Sequence, residues 1–185
     1  MKVAAIQMVS AIAREANLAR AHDLLAQAAA AGAELAVLPE YFCMMGARDT
    51  DKLSLRETAG AGMVQGFLAD AAREFGLWIV GGTLPIESTD AEHVFNSSLA
   101  FSPDGRCVAR YDKIHLFFFD NGTERYDERR VIAPGAKPLC DRRHKPTAVA
   151  ARPTLRVARK IGGFDGDRPR NREAPRARRA RGEDG

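Results

Sequence analysis

The chain has 185 residues, 45% of them hydrophobic, enough for one ordinary domain or a domain with a tail. Residues 1–140 carry 14 Lys and Arg against 18 Asp and Glu, while residues 141–185 carry 14 against 6, so the formal +4 averages an acidic body and a basic end. This split excludes reading the sequence pI near 9.2 as a property of the folded part.

There is no run of about 18 apolar residues, and Met1, Lys2 and Val3 enter a strand-like segment with no leader pattern before it. The expectation is a soluble cytoplasmic protein with no membrane partner. Cys43, Cys107 and Cys140 are odd in number and lack metal-ligand spacing, so reduced thiols are expected, with no disulfide framework, metal or cofactor.

Lys2 to Met8 is a short apolar run, read as a central strand covered on both faces. From Arg14 to Ala31 a stripe of Leu18, Ala21, Leu25 and Ala28, with Leu24 beside it, predicts a helix of about five turns stopped by Gly32. Glu34 to Leu38 is a second strand, halted by Pro39, so Glu40 sits just past a strand end. Gly60 to Phe75, with Met63, Phe67, Ala71 and Phe75 at intervals of four, predicts a second helix that ends at Gly76. Leu77 to Val80 follows as a strand. Val94 to Phe101 and Cys107 to Tyr111 then flank Ser102-Pro103-Asp104-Gly105, a hairpin turn signal. Helices alternating with strands, plus one hairpin, predict a layered α/β fold on a mixed sheet.

Three signals carry chemistry: Leu38-Pro39-Glu40 after a strand, Tyr111-Asp112-Lys113-Ile114-His115-Leu116-Phe117 at another strand end, and Tyr126-Asp127-Glu128 in the loop beyond. Strand ends and the loops after them are where α/β proteins gather functional groups, so a carboxylate and an ammonium in such places can share a pocket. Each residue also has a plain structural reading. Glu40 fits a solvated loop carboxylate, Lys113 a surface partner of Asp112, and Glu128 one member of the charged stretch Glu124 to Arg130. His115, between Ile114 and Leu116, is read as packed and hydrogen-bonded. Cys43 and Cys107 are read as small apolar fillers, and Phe117, Phe118 and Phe119 either line a pocket mouth or pack under the next loop.

Together with the opening strand and the Asp104-Gly105 hairpin, these motifs resemble the N-terminal part of the nitrilase superfamily, the carbon–nitrogen hydrolases. The run Glu124 to Glu128 after Asn121-Gly122 is most similar to the amidase branch that includes deaminated glutathione amidase and omega-amidase. The resemblance covers roughly residues 1–138, and a whole family domain needs on the order of a hundred residues more. It implies an incomplete αββα sandwich, a small-molecule amide substrate, no cofactor, and a homodimer or larger homo-oligomer. It also implies Glu40 as general base, Lys113 as the ammonium that stabilises the tetrahedral oxyanion, and Glu128 as a carboxylate that orients them. A thiol attacking an amide carbon must give its proton to a nearby base, and the oxyanion needs a fixed donor worth about 3 to 4 kcal/mol.

In the family the nucleophilic cysteine lies a few tens of residues past the lysine, at the end of a strand. Cys140 stands in Pro138-Leu139-Cys140-Asp141-Arg142 without that strand or the family's following residues, and it is rejected as the nucleophile. Losing a nucleophile costs about a millionfold in turnover, so the chain as written is expected to be inactive.

Two domains are assigned: residues 1–139, the nitrilase-like part, and residues 140–185, a tail. The last 45 residues hold twelve Arg, four Pro and five Gly, a composition that builds no core and fits disorder. One reading is a gene read out of frame from near residue 140, which accounts for both the lost cysteine strand and the change in composition. The other is a basic arm of a non-catalytic binding or scaffold protein that touches nucleic acid or an intact paralogue. The first is preferred, which leaves nucleic acid outside the expected partners.

Overall fold

The computed structural model describes residues 1–137 and 156–157; the remaining residues, Cys140 and most of the basic tail among them, lie outside the described part. The elements are β1 (Lys2–Ala5), α1 (Arg14–Ala30), β2 (Leu35–Val37), α2 (Asp51–Ser54), α3 (Met63–Phe75), β3 (Trp78–Val80), β4 (Leu84–Glu87), β5 (Val94–Phe101), β6 (Cys107–Asp112), β7 (Phe118–Asp120), β8 (Arg125–Asp127), a 3-10 turn (Glu128–Arg130) and β9 (Arg156–Val157).

The sheet is mixed, as the alternation of helices with a hairpin predicts. Strands β1, β2 and β3 run parallel, with Val3 beside Leu35 and Leu35 beside Trp78. On the other side of β1, β9 pairs in parallel, Lys2 with Arg156 and Val3 with Val157, so both residues of β9 fall past the boundary drawn at 139. Strands β3 and β4 lie end to end along one edge of β5, and β6 lies antiparallel along the other. The β5–β6 hairpin turns through Ser102 to Gly105, where the Gly105 N–H donates to the Ser102 carbonyl at 2.8 Å. A small second sheet joins β7 to β8.

Helix α1 buries Leu18, Ala21, Leu24, Leu25 and Ala28, the stripe read from the sequence. It packs with α3 over one sheet face, where Ala4, Ala36, Ile79 and Phe101 are buried. The stripe of α3 is rotated from the expected one: Val64, Leu68, Ala71 and Ala72 are buried, whereas Met63 is exposed. Phe67 and Phe75 of the expected stripe are partly buried against the core. The Glu57 carboxylate accepts the N–H of Val64 at 2.6 Å and of Gln65 at 3.2 Å, satisfying two free donors of the first turn.

Strand β1 is interior to the sheet but not covered on both faces. Val3 is only partly buried, Ala5 and Trp78 are exposed, and so is Val108 of β6. The helices occupy one face, and no described element of comparable size covers the other. Cys107 is likewise exposed, because the first residues of β6 extend past that cover. Cys43, by contrast, is buried, as expected of a filler.

Candidate active site

The loops that carry the site are fixed by backbone contacts between neighbouring strand ends. After β2, the Leu38 N–H donates to the Val80 carbonyl at 2.9 Å, and the Tyr41 N–H donates to Thr83 Oγ1 at 3.0 Å. Gly82, with φ +52°, makes this approach possible, since a Cβ there would stand 1.9 Å from the Pro39 carbonyl oxygen. Tyr41, next to Glu40, is the one non-glycine residue with positive φ (+47°) among the described residues.

Lys113 follows β6. Its N–H donates to the Asn96 carbonyl and its carbonyl accepts from the Gly135 N–H, both at 2.9 Å. Its sequence neighbour Asp112 is occupied elsewhere, accepting from Ser97 Oγ at 2.6 Å and Arg110 Nε at 2.8 Å. The alternative reading of Lys113 as a surface partner of Asp112 therefore fails. Glu128 opens the 3-10 turn, which Asp127 caps by accepting the Arg129 N–H. Its backbone N–H donates to the Phe117 carbonyl at 3.1 Å, and the Phe117 N–H donates to Glu128 Oε2 at 2.7 Å.

The three residues picked from the sequence meet. Lys113 Nζ lies 3.0 Å from Glu128 Oε1 and 3.4 Å from Glu40 Oε1. Their side chains differ sharply in exposure: 8% for Glu128, 27% for Lys113 and 52% for Glu40. Partial burial pulls the Lys113 pKa down, but the hydrogen bond it donates to Glu128 and the charges of Glu40 and Glu128 outweigh it and hold the ammonium above its ordinary value. It is therefore fully charged at neutral pH. The solvated-loop reading fails for Glu128, whose carboxylate is buried and doubly hydrogen-bonded.

Asn96 was not singled out from the sequence. Its Nδ2 donates to Glu40 Oε1 at 2.8 Å, fixing the most exposed member of the cluster. An amide in the otherwise apolar and small run Val94 to Phe101, itself buried, was the available signal. His115, expected to be packed, is exposed, because regular β6 ends at Asp112 and the chain leaves the sheet before it reaches the histidine.

A cavity of about 260 Å³ opens beside the cluster, walled by Glu40, Tyr41, Glu128, Tyr126, Lys52 and Met45 among others. A larger one of about 810 Å³ lies beyond Lys113, lined by Ile114, Leu116, Phe118 and Ile132 with His93 and Arg129, and contains none of the three charged residues. The smaller cavity is the one that Glu40 and Glu128 line. Its Tyr41 hydroxyl is driven far above its ordinary pKa by burial and by the charges of Glu128 and Glu40, so it remains protonated. Cys43, three residues past Glu40, has its thiol pushed up to about 12 by burial. Cys107 stands at the far end of β6, roughly 20 Å along the strand from Lys113. Cys140 lies outside the described residues. No group of three or more His, Cys, Asp or Glu that could hold a metal occurs among the described residues.

The fold is a mixed α/β sheet that carries a carboxylate–ammonium–carboxylate cluster at its strand ends. A family model for carbon-nitrogen hydrolase matches residues 2–162, and the chain belongs to that family. It is 32% identical over 136 residues to the omega-amidase of Homo sapiens, a match that covers 72% of this chain and 48% of that protein. To the deaminated glutathione amidase of Synechocystis it is 37% identical over 115 residues, covering 62% and 42%. Among solved structures, Saccharomyces cerevisiae Nit3, a member of the nitrilase superfamily, aligns with TM-score 0.61 and 27% identity over 73% of this chain and 48% of that one. The chain spans about half the length of the curated relatives it matches. No helix among the described residues is long and apolar enough to cross a membrane.

Proposed function

We propose that residues 1–139 carry the acid and ammonium part of an amide-hydrolysing carbon–nitrogen hydrolase centre, and that this chain binds a small non-peptide amide without turning it over. The observation that carries the reading is the single ammonium of Lys113 held between Glu128 at 3.0 Å and Glu40 at 3.4 Å. In a complete centre, Glu40 takes the proton of an attacking thiol and returns it to the leaving amine, while Lys113 meets the negative oxygen that forms on the carbonyl. Glu128 holds Lys113 in place through its own anchorage to the Phe117 N–H.

The missing part is the nucleophile. Cys43 is buried with a thiol too basic to ionise, Cys107 is on a remote strand end, and Cys140 lacks the family's surrounding residues. A displaced reading frame accounts for both that loss and the arginine-rich composition, whereas the family match to residue 162 and the pairing of Arg156–Val157 with β1 count against a break as early as residue 139. Sequencing the encoding DNA tests it: a cysteine-bearing strand in another frame supports it, and none in any frame refutes it. The complete protein would work in the cytoplasm as a homo-oligomer.

Ammonia release tests the activity. The full chain, incubated with aliphatic primary amides and with omega-amides of dicarboxylic acids, is expected to release none above the buffer rate. Release at ordinary enzymatic rates would overturn the inactive reading. A second reading, a non-catalytic scaffold with a basic arm, is favoured only by the charge split between the two parts of the chain. A steep salt dependence of binding to nonspecific DNA, lost on removing residues 141–185, would support it.

A further inference from the structure

We propose that the sheet face opposite the helices is a docking surface for a second copy of this chain, the two copies packing face to face across a two-fold axis. Strand register picks out the residues. Val3, Leu35 and Trp78 stand side by side on β1, β2 and β3. Two residues further along each strand, Ala5, Val37 and Val80 form the next row, which β5 and β6 extend with Ala100 and Ala109. Side chains alternate between faces, so both rows point away from Ala4, Ala36, Ile79 and Phe101, the residues buried under α1 and α3. Every residue of the two rows is apolar and none is buried; Ala5 is exposed and Trp78 is 44% exposed. Scattered apolar side chains are ordinary on a surface, but a contiguous patch marks an interaction site.

Two observations name the occupant. The first is charge. Neither row holds a charged side chain, so a two-fold axis through the patch lays apolar residues on apolar residues and brings no like charges together, the condition a surface must meet to pair with itself. The second is area. Five strands abreast at about 4.8 Å span about 24 Å, and strands of three to eight residues average about 16 Å in length. The face therefore covers about 400 Å² in projection, and roughly 600 Å² once the relief of its side chains is counted. Two copies bury about 1,200 Å², the lower edge of the range for specific interfaces, which sets a dimer that forms at micromolar concentrations. Sheets packed this way lie about 10 Å apart, with side chains from both inner faces filling the gap. Nothing in this pairing requires an amide at the charged cluster.

Trp78 is the only tryptophan of the chain, so its fluorescence reads this face alone. The full chain is taken from well below to well above micromolar concentration in sedimentation equilibrium, with Trp78 emission and its quenching by iodide recorded on the same samples. The expected result is a mass that rises from one chain to two, with emission moving to shorter wavelength and quenching falling in step. Ala5→Lys puts a charge in the patch at a position exposed in the single chain, and should hold the variant at one chain throughout with its far-UV dichroism unchanged. A single-chain mass at every concentration overturns the proposal, as does a dimer that survives A5K or leaves Trp78 emission unmoved, because the contact then lies elsewhere. Shielding of Trp78 from iodide at the lowest concentration also overturns it, because a segment of the same chain then covers the face. Association beyond two copies overturns the closed pair. Should A5K fail to fold, the wild-type series of mass and emission decides alone.

Discussion

Replacing Lys113 with Met should destabilise the chain, and mainly through Glu128. At 3.0 Å and an effective dielectric constant of about 20, the attraction between Lys113 and Glu128 is about 5.5 kcal/mol before desolvation is charged against it. Glu128 is 8% exposed but Lys113 is 27% exposed, so water screens one partner and desolvation of the other cancels much of the gain. A net loss of about 2 kcal/mol results, or roughly 4–8 °C in Tm for a chain of this size. The Glu40 arm is longer, at 3.4 Å, and ends on a carboxylate 52% exposed, so its coupling should stay under about 1 kcal/mol. Urea denaturation of K113M, E128Q, E40Q and the two double variants gives both coupling energies directly. The pH dependence has a definite sign. Because the folded pKa of Lys113 is raised, its contribution is complete at neutral pH and is lost as pH rises above about 10.4 through the folded value. Wild type should therefore lose stability over that range faster than K113M. A Glu40 coupling equal to or larger than that of Glu128, or a K113M variant as stable as wild type, would refute the reasoning.

Gly82→Ala should cost more than about 2 kcal/mol or abolish soluble expression, because its Cβ would fall 1.9 Å from the Pro39 carbonyl oxygen and push Glu40 out of place; an unchanged urea midpoint would contradict this. Glu57→Ala removes the acceptor for the Val64 and Gln65 N–H groups and should cost about 1–3 kcal/mol, with loss of amide-exchange protection concentrated at the start of α3; uniform loss across the chain would contradict the local assignment. Brief alkylation at pH 8 followed by peptide mass spectrometry should label Cys107 and leave Cys43 unmodified, since burial pushes the Cys43 thiol up to about 12; equal labelling would show that the core around Cys43 opens readily.

The residues readable from sequence were those whose chemistry is marked by local context. Pro39 ends a strand and so announces Glu40, and Lys113 follows a strand whose hairpin turn is spelled by Ser102 to Gly105. The stripe of α1 was legible because its spacing alone decides which side is buried. The stripe of α3 was legible in part: Ala71 is buried and Phe67 and Phe75 pack partly on the core, while Met63 is exposed and Val64 and Leu68 are buried, a shift set by packing that no local spacing contains. Asn96 was invisible for a related reason. Its role depends on the register that places β5 beside both Glu40 and Lys113, a long-range fact that no short window contains. Strands β7 and β8 were missed because three consecutive phenylalanines show no alternation, and β4 because Pro85 argues against a strand there even though it pairs with Asn96.

Acyl trapping followed by peptide mass spectrometry bears most directly on the claim that the charged cluster stands here without its thiol. The full chain is incubated with an excess of a primary amide, quenched in acid and digested, and each cysteine peptide is weighed. No acyl mass should appear on Cys43, Cys107 or Cys140. An acyl group on Cys140 that forms and decays at the rate of ammonia release would contradict the account.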